Sequence, residues 1–140
     1  MPPCGLGLAY TWGMEPRGET KYERRLAKAR HRAERLGIPT VERHIFLCVD
    51  TAEVGCASKK RMLASWRYLK RRLRDLGVPR RGHVMATRCR CFGVCTAGPI
   101  AVVYPDGTWY GRCDEVALDR IIREHLIGGQ VVTEYALHTP

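Results

Sequence analysis

The sequence predicts an α/β domain, a four-stranded mixed sheet with two packed helices, preceded by a peripheral basic helix. Three observations lead there. Two short apolar runs, His44-Ile-Phe-Leu-Cys-Val49 and His83-Val-Met-Ala-Thr87, read as strands. Between them Met62, Trp66, Leu69, Leu73 and Leu76 recur at helical spacing, one apolar face of a long helix. Further on, the run Ile100 to Tyr104 and the short strand through Trp109 and Tyr110 flank Pro105-Asp106-Gly107, a hairpin signal. A strand–helix–strand unit normally closes as a right-handed parallel crossover, and the hairpin adds an antiparallel pair.

The elements follow in order. Residues 1–19 are rich in Pro and Gly and should be irregular, with Met14 a plausible true start. Thr20-Lys-Tyr-Glu23 fits a capping box, opening a helix to Leu36 that Gly37 and Pro39 stop. Its apolar face is thin (Tyr22, Leu26, Ala29, Ala33, Leu36), so it should be peripheral. Residues 1–40 therefore read as a flexible start with a basic helix, and 41–140 as the folded domain. Ser58 caps the long helix, which Gly77 and Pro79 end. Asp114 caps a last helix, with Val116, Ile121 or Ile122 and Leu126 inward and Gly128-Gly129 at its end. The apolar tail from Val131 to Leu137 could add an edge strand or pack on a partner chain. The order of strands and helices is a thioredoxin-like arrangement.

A chain of 140 residues suffices for one domain with a real core and a tail or two. No run approaches the ~18 apolar residues of a membrane span, and the N-terminus does not resemble a secretory signal. The expected location is cytoplasmic. In a reducing compartment seven cysteines point to metal binding or redox chemistry rather than to structural disulfides. The net charge is +10 and unevenly spread. Lysines and arginines crowd residues 17–36 and 59–81, whereas acids outnumber bases after residue 97. Such a basic front suits an acidic protein partner or nucleic acid; a solvated helix face explains the same charge.

The cysteines form two groups. Cys48 ends the first strand, and a loop carries the chain to Cys56. Cys89, Cys91 and Cys95 read as one loop ahead of the hairpin. Two distant thiolate pairs suit tetrahedral zinc or a [2Fe–2S] cluster. Seven residues separate Cys48 from Cys56 and three separate Cys91 from Cys95. The first gap is wide for a zinc knuckle and spans a binuclear cluster more comfortably. No Cys-x-x-Cys occurs, which argues against dithiol redox catalysis.

From about His44 to Leu137 the chain resembles the thioredoxin-like [2Fe–2S] ferredoxins, relatives of the small iron–sulfur subunit of respiratory complex I. The resemblance rests on Cys48, Cys56 and Cys91-Phe-Gly-Val-Cys95. It rests further on Gly98-Pro99, Val102-Val-Tyr-Pro-Asp-Gly107, Trp109-Tyr-Gly111 and Glu124-His-Leu-Ile-Gly-Gly129. It implies that Cys48, Cys56, Cys91 and Cys95 ligate a [2Fe–2S] cluster. It implies a one-electron carrier rather than an enzyme, and a homodimer. The loop between the first two cysteines is intermediate in length between those of the free ferredoxins and of the complex I subunit. The family pattern selects Cys91 over Cys89; Cys4 and Cys113 are expected to stay unbound. Small residues near the ligands (Gly55, Ala57, Gly93, Ala97, Gly98) would let backbone amides approach the sulfurs, and Arg88 and Arg90 would favour the reduced state.

Two other readings stay in view. One is a zinc-stabilised nucleic-acid-binding module, disfavoured because exposed aromatics do not interleave with the basic residues. The other is an accessory iron–sulfur subunit of a larger oxidoreductase. No membrane association is expected, and the expected partners are redox proteins with an acidic docking surface.

Overall fold

The computed structural model describes residues 18–50, 52, 57–78, 83–94 and 96–140. The expectations for residues 1–17, Met14 included, lie outside the described residues. The chain divides into two compact units, residues 1–32 and 33–140.

Helix α1 (Lys21–Arg35) begins with the predicted capping box. Thr20 Oγ1 accepts from Glu23 N–H at 3.1 Å, and Glu23 Oε2 accepts from Thr20 N–H at 2.6 Å. None of its residues is buried, as its thin apolar face leads one to expect.

The larger unit contains β1 (Arg43–Cys48), α2 (Lys59–Asp75), β2 (Val84–Cys89), β3 (Ala101–Tyr104), β4 (Thr108–Tyr110), α3 (Glu115–Arg120) and β5 (Ala136–His138). The sheet order is β2-β1-β3-β4-β5. β1 and β2 run parallel, joined through α2; the remaining neighbours are antiparallel. The sheet thus has five strands rather than four. The apolar tail adds β5 beside β4, covering backbone groups that would otherwise form an open edge. The hairpin closes at Gly107, whose N–H donates to Val103 O at 2.8 Å with φ at +70°, a conformation glycine adopts without strain.

One core joins sheet and helices. Ile45 and Leu47 on β1 and Ala101 and Val103 on β3 are fully buried against Met62, Leu69 and Leu73 of α2. Each of the larger side chains, Ala101 aside, contributes roughly 1.5–3 kcal/mol relative to exposure. Ser58 caps α2 as expected, its Oγ accepting from Arg61 N–H at 3.3 Å. Asp114 caps α3, its Oδ1 accepting from Ala117 N–H at 3.0 Å.

The inward face of the last helix differs from expectation. Val116 is 68% exposed, whereas Ala117, Leu118, Ile121, Ile122, His125 and Leu126 are buried. These pairs recur every four residues, and beyond Arg120 the helix widens into π-type turns over Ile121–Ile127. A repeat of four keeps 117/118, 121/122 and 125/126 in line, and Val116, in the α-helical first part, lies outside that line. The widened end requires Gly128: a Cβ there would meet Glu124 O at 2.7 Å.

Candidate metal centre

Two of the predicted ligands, Cys48 and Cys91, lie at or just beyond the C-terminal ends of the two parallel strands. Cys48 is the last residue of β1 and is 1% exposed; its N–H donates to Ile100 O at 2.9 Å, which ties it to the chain entering β3. Cys91 is half-buried just beyond β2. Cys56 and Cys95 lie outside the described residues. Among the described residues no three His, Cys, Asp or Glu side chains gather at one point.

Cys89 corrects the sequence reading. It is not in the loop but ends β2, in register with Cys48. The ladder continues one step further, with Val49 N–H donating to Cys89 O at 2.9 Å. In a parallel pair, residues in register point to the same face, so Cys89 is a near neighbour of Cys48 through the sheet. Burial, and then the adjacent Cys91, push its thiol pKa up.

Asp50, which the sequence reading left as an ordinary loop residue, fastens the two cysteine-bearing segments together. It is buried. Oδ1 accepts from Ala52 N–H at 3.0 Å and Oδ2 from Cys91 N–H at 3.3 Å. The first bond orders the chain leaving Cys48; the second holds the Cys91 backbone against it. An Asp two residues after a strand end was the available signal, since such residues bond nearby backbone amides.

Around Cys91, Gly93 N–H donates to the sulfur at 3.2 Å, in line with the expectation that small residues let amides come close. Phe92 packs edge-on against Trp109 with ring centroids 5.1 Å apart, fixing the loop to the hairpin. Arg88 and Arg90 are both exposed beside it.

A second polar cluster, also missed from sequence, pins the hairpin to the last helix. His125 is fully buried: its Nδ1 lies 2.7 Å from Tyr110 Oη and its Nε2 2.6 Å from Asp106 Oδ2. Val132 N–H donates to Tyr110 Oη at 3.1 Å, and Arg43 Nε–H donates to Asp106 Oδ2 at 3.1 Å. The donor inventory assigns the protons: Tyr110 O–H donates to Nδ1, and Nε2–H donates to Asp106. Partial burial raises the Asp106 pKa, but hydrogen bonds from His125 and Arg43 outweigh it and hold the carboxyl below its usual range. In the sequence nothing local marks His125 as buried; it joins Leu126 in the last of the three buried pairs.

No protein-family model matches the chain. A [2Fe–2S] ferredoxin from Clostridium pasteurianum is 35% identical over 95 residues, covering 64% of this chain and 89% of the relative. A [2Fe–2S] ferredoxin from Aquifex aeolicus is 30% identical over 95 residues, covering 64% and 84%. Among solved structures, the wild-type thioredoxin-like [2Fe–2S] ferredoxin from Aquifex aeolicus superimposes with a TM-score of 0.62 at 25% identity, covering 70% of this chain and 98% of that one.

Proposed function

This chain belongs to the thioredoxin-like [2Fe–2S] ferredoxins, and from that premise we propose which of its residues hold the cluster and what kind of partner it serves. It is an electron-transfer protein, and the cluster supplies one-electron redox chemistry. The similarity to ferredoxins favours neither the zinc-stabilised nucleic-acid module nor the accessory-subunit reading. Among the described residues no helix is long and apolar enough to cross a membrane.

We assign the cluster ligands as Cys48, Cys56, Cys91 and Cys95. The observation that carries this is the Asp50 carboxylate, which links the segment after Cys48 to the Cys91 backbone. Four thiolates match the donor preference of iron–sulfur clusters. The cysteine segments leave from β1 and β2, and the ladder between those strands limits how far they can move. Gly93 N–H, aimed at Cys91 Sγ, withdraws charge from that sulfur and favours the reduced state. Cys89, at the end of β2, lies outside this ligand set.

The ferredoxin domain is residues 41–140, with residues 1–40 as an appended start and basic helix. The chain works in the cytoplasm as a homodimer, passing electrons to redox proteins that present an acidic docking surface. It carries electrons and makes no substrate bonds.

Anaerobic purification followed by iron, zinc and acid-labile sulfide analysis tests the assignment. Equal iron and sulfide, visible absorption and an EPR signal after reduction are expected. Serine at any of the four ligand positions should change or abolish those spectra. A colourless zinc protein would overturn the reading.

A further inference from the structure

We propose that the solvent face of α2 is the surface on which an acidic electron-transfer protein docks. The inference rests on the ferredoxin reading above and names the face that meets the partner.

The helix turns by about 100° per residue. On that spacing Lys59, Lys60, Arg67, Lys70, Arg71 and Arg74 fall within an arc of roughly 120°, separate from Met62, Leu69 and Leu73, which face the core. All six are exposed, and the stripe runs about 22 Å along the helix. Arg61 adds a third cation to the first turn, which holds no acidic residue.

Folding alone gives no reason for this arrangement. Cations in the first turn oppose the positive end of the helix dipole. The pairs Arg67–Arg71 and Lys70–Arg74 are like charges at i, i+4, a destabilising spacing. The last helix pairs its arginines: Arg120 bonds Glu124 and Glu134, and Arg123 bonds Asp119. On α2, among the described residues, Arg72 alone has a carboxylate, Asp119 at 3.1 Å, and Arg72 lies off the stripe. An acidic protein surface would relieve this repulsion. The helix starts at residue 59, three positions after the assigned ligand Cys56, so a partner seated on the stripe meets the protein beside the cluster segment.

The charge pattern also bears on nucleic acid. Trp66 and Tyr68 are half-buried and already covered, by Lys70 at 5.5 Å and Arg71 at 5.6 Å from their ring centroids. No aromatic on this face is left to stack a base.

The test uses the cluster-loaded full chain and two one-electron haem proteins, acidic cytochrome b5 and basic cytochrome c. In each reaction one electron passes from the reduced ferredoxin to ferric haem, giving ferrous haem. Stopped-flow rates are compared for the native chain, Lys60→Glu/Arg67→Glu/Arg71→Glu on α2, and Arg24→Glu/Arg25→Glu/Lys28→Glu on α1, which alters net charge equally. At low ionic strength the α2 variant should react with cytochrome b5 at least fivefold more slowly and with cytochrome c faster. The α1 variant should stay within twofold of native, and all rates should converge near 1 M salt, where the screening length is about 3 Å. The neutral variant Lys60→Gln/Arg67→Gln/Arg71→Gln should fall between native and Glu, which guards against a folding artefact. Equal slowing by the α1 and α2 changes, or none by either, overturns the surface while normal cluster spectra leave the ferredoxin reading standing. Tight oligonucleotide binding that the α2 variant loses, with cytochrome rates unmoved, overturns it in favour of nucleic acid. A chain without iron and sulfide overturns both.

Discussion

Replacing His125 by Phe should destabilise the larger unit by about 2–4 kcal/mol. The ring volume is nearly kept, so no cavity accounts for the loss. What disappears is a pair of hydrogen bonds at a fully buried site: Tyr110 O–H to Nδ1 at 2.7 Å and Nε2–H to Asp106 at 2.6 Å. Tyr110 is itself fully buried, and stranding its proton costs about 1–3 kcal/mol. Asp106 is one-third exposed and keeps Arg43, so its side of the break adds about 1 kcal/mol. Native-state hydrogen exchange reads this without dissociating the cluster. The amides of Leu47 and Val103, in central strands, exchange through global opening. Their exchange should quicken by about 30-fold to 1,000-fold, at 1.4 kcal/mol per tenfold. Tyr110→Phe alone should cost about 1–3 kcal/mol, because it strands Val132 N–H and Nδ1. The double variant should cost about 1 kcal/mol less than the sum, since the two changes share a bond. Strict additivity, or a His125→Phe effect under about 0.5 kcal/mol, would refute the assigned proton arrangement.

Four further outcomes follow from the geometry. Asp106 has a folded pKa held down by His125 and Arg43, so its contribution is full above the unfolded aspartate value of about 3.9 and is lost as pH falls through the folded value; the exchange-protection gap between native and Asp106→Asn should therefore close below about pH 4. Thr108 Oγ1 is buried with no hydrogen-bond partner among the described residues, so Thr108→Val should be neutral or stabilise by up to about 1 kcal/mol, read by the same exchange. Cys89→Ser should leave the visible and EPR spectra unchanged, whereas Cys91→Ser should shift or remove them. Arg90→Glu should lower the reduction potential measured by voltammetry, because it puts negative charge beside the Cys91 segment.

The parts of this molecule with strict local periodicity were legible in the sequence. The α2 stripe, the three caps with their side-chain acceptors, and the Asp-Gly turn all depend on contacts within a few residues, and all appear where the spacing put them. What failed depended on distant partners. Val116 is apolar like its inward neighbours, but tertiary packing buries Ala117 and Leu118 instead. Cys89 read as a loop residue because nothing in Arg-Cys-Arg-Cys marks where a ladder to Cys48 stops. Asp50 and His125 acquire their roles from Cys91, Asp106 and Tyr110, across separations no local pattern encodes. The family resemblance supplied the ligand set, and spacing alone left zinc and iron open.

Cys113 has a further consequence. It is fully buried, its sulfur lies 3.7 Å from the carbonyls of Tyr110 and Gly111, and burial pushes its thiol far up. Alkylating reagents and mild oxidants attack thiolates, so this residue is inert while the domain stays closed. Thiol counts on intact protein will miss it. The rate at which it becomes labelled is a clock for how often the interior opens.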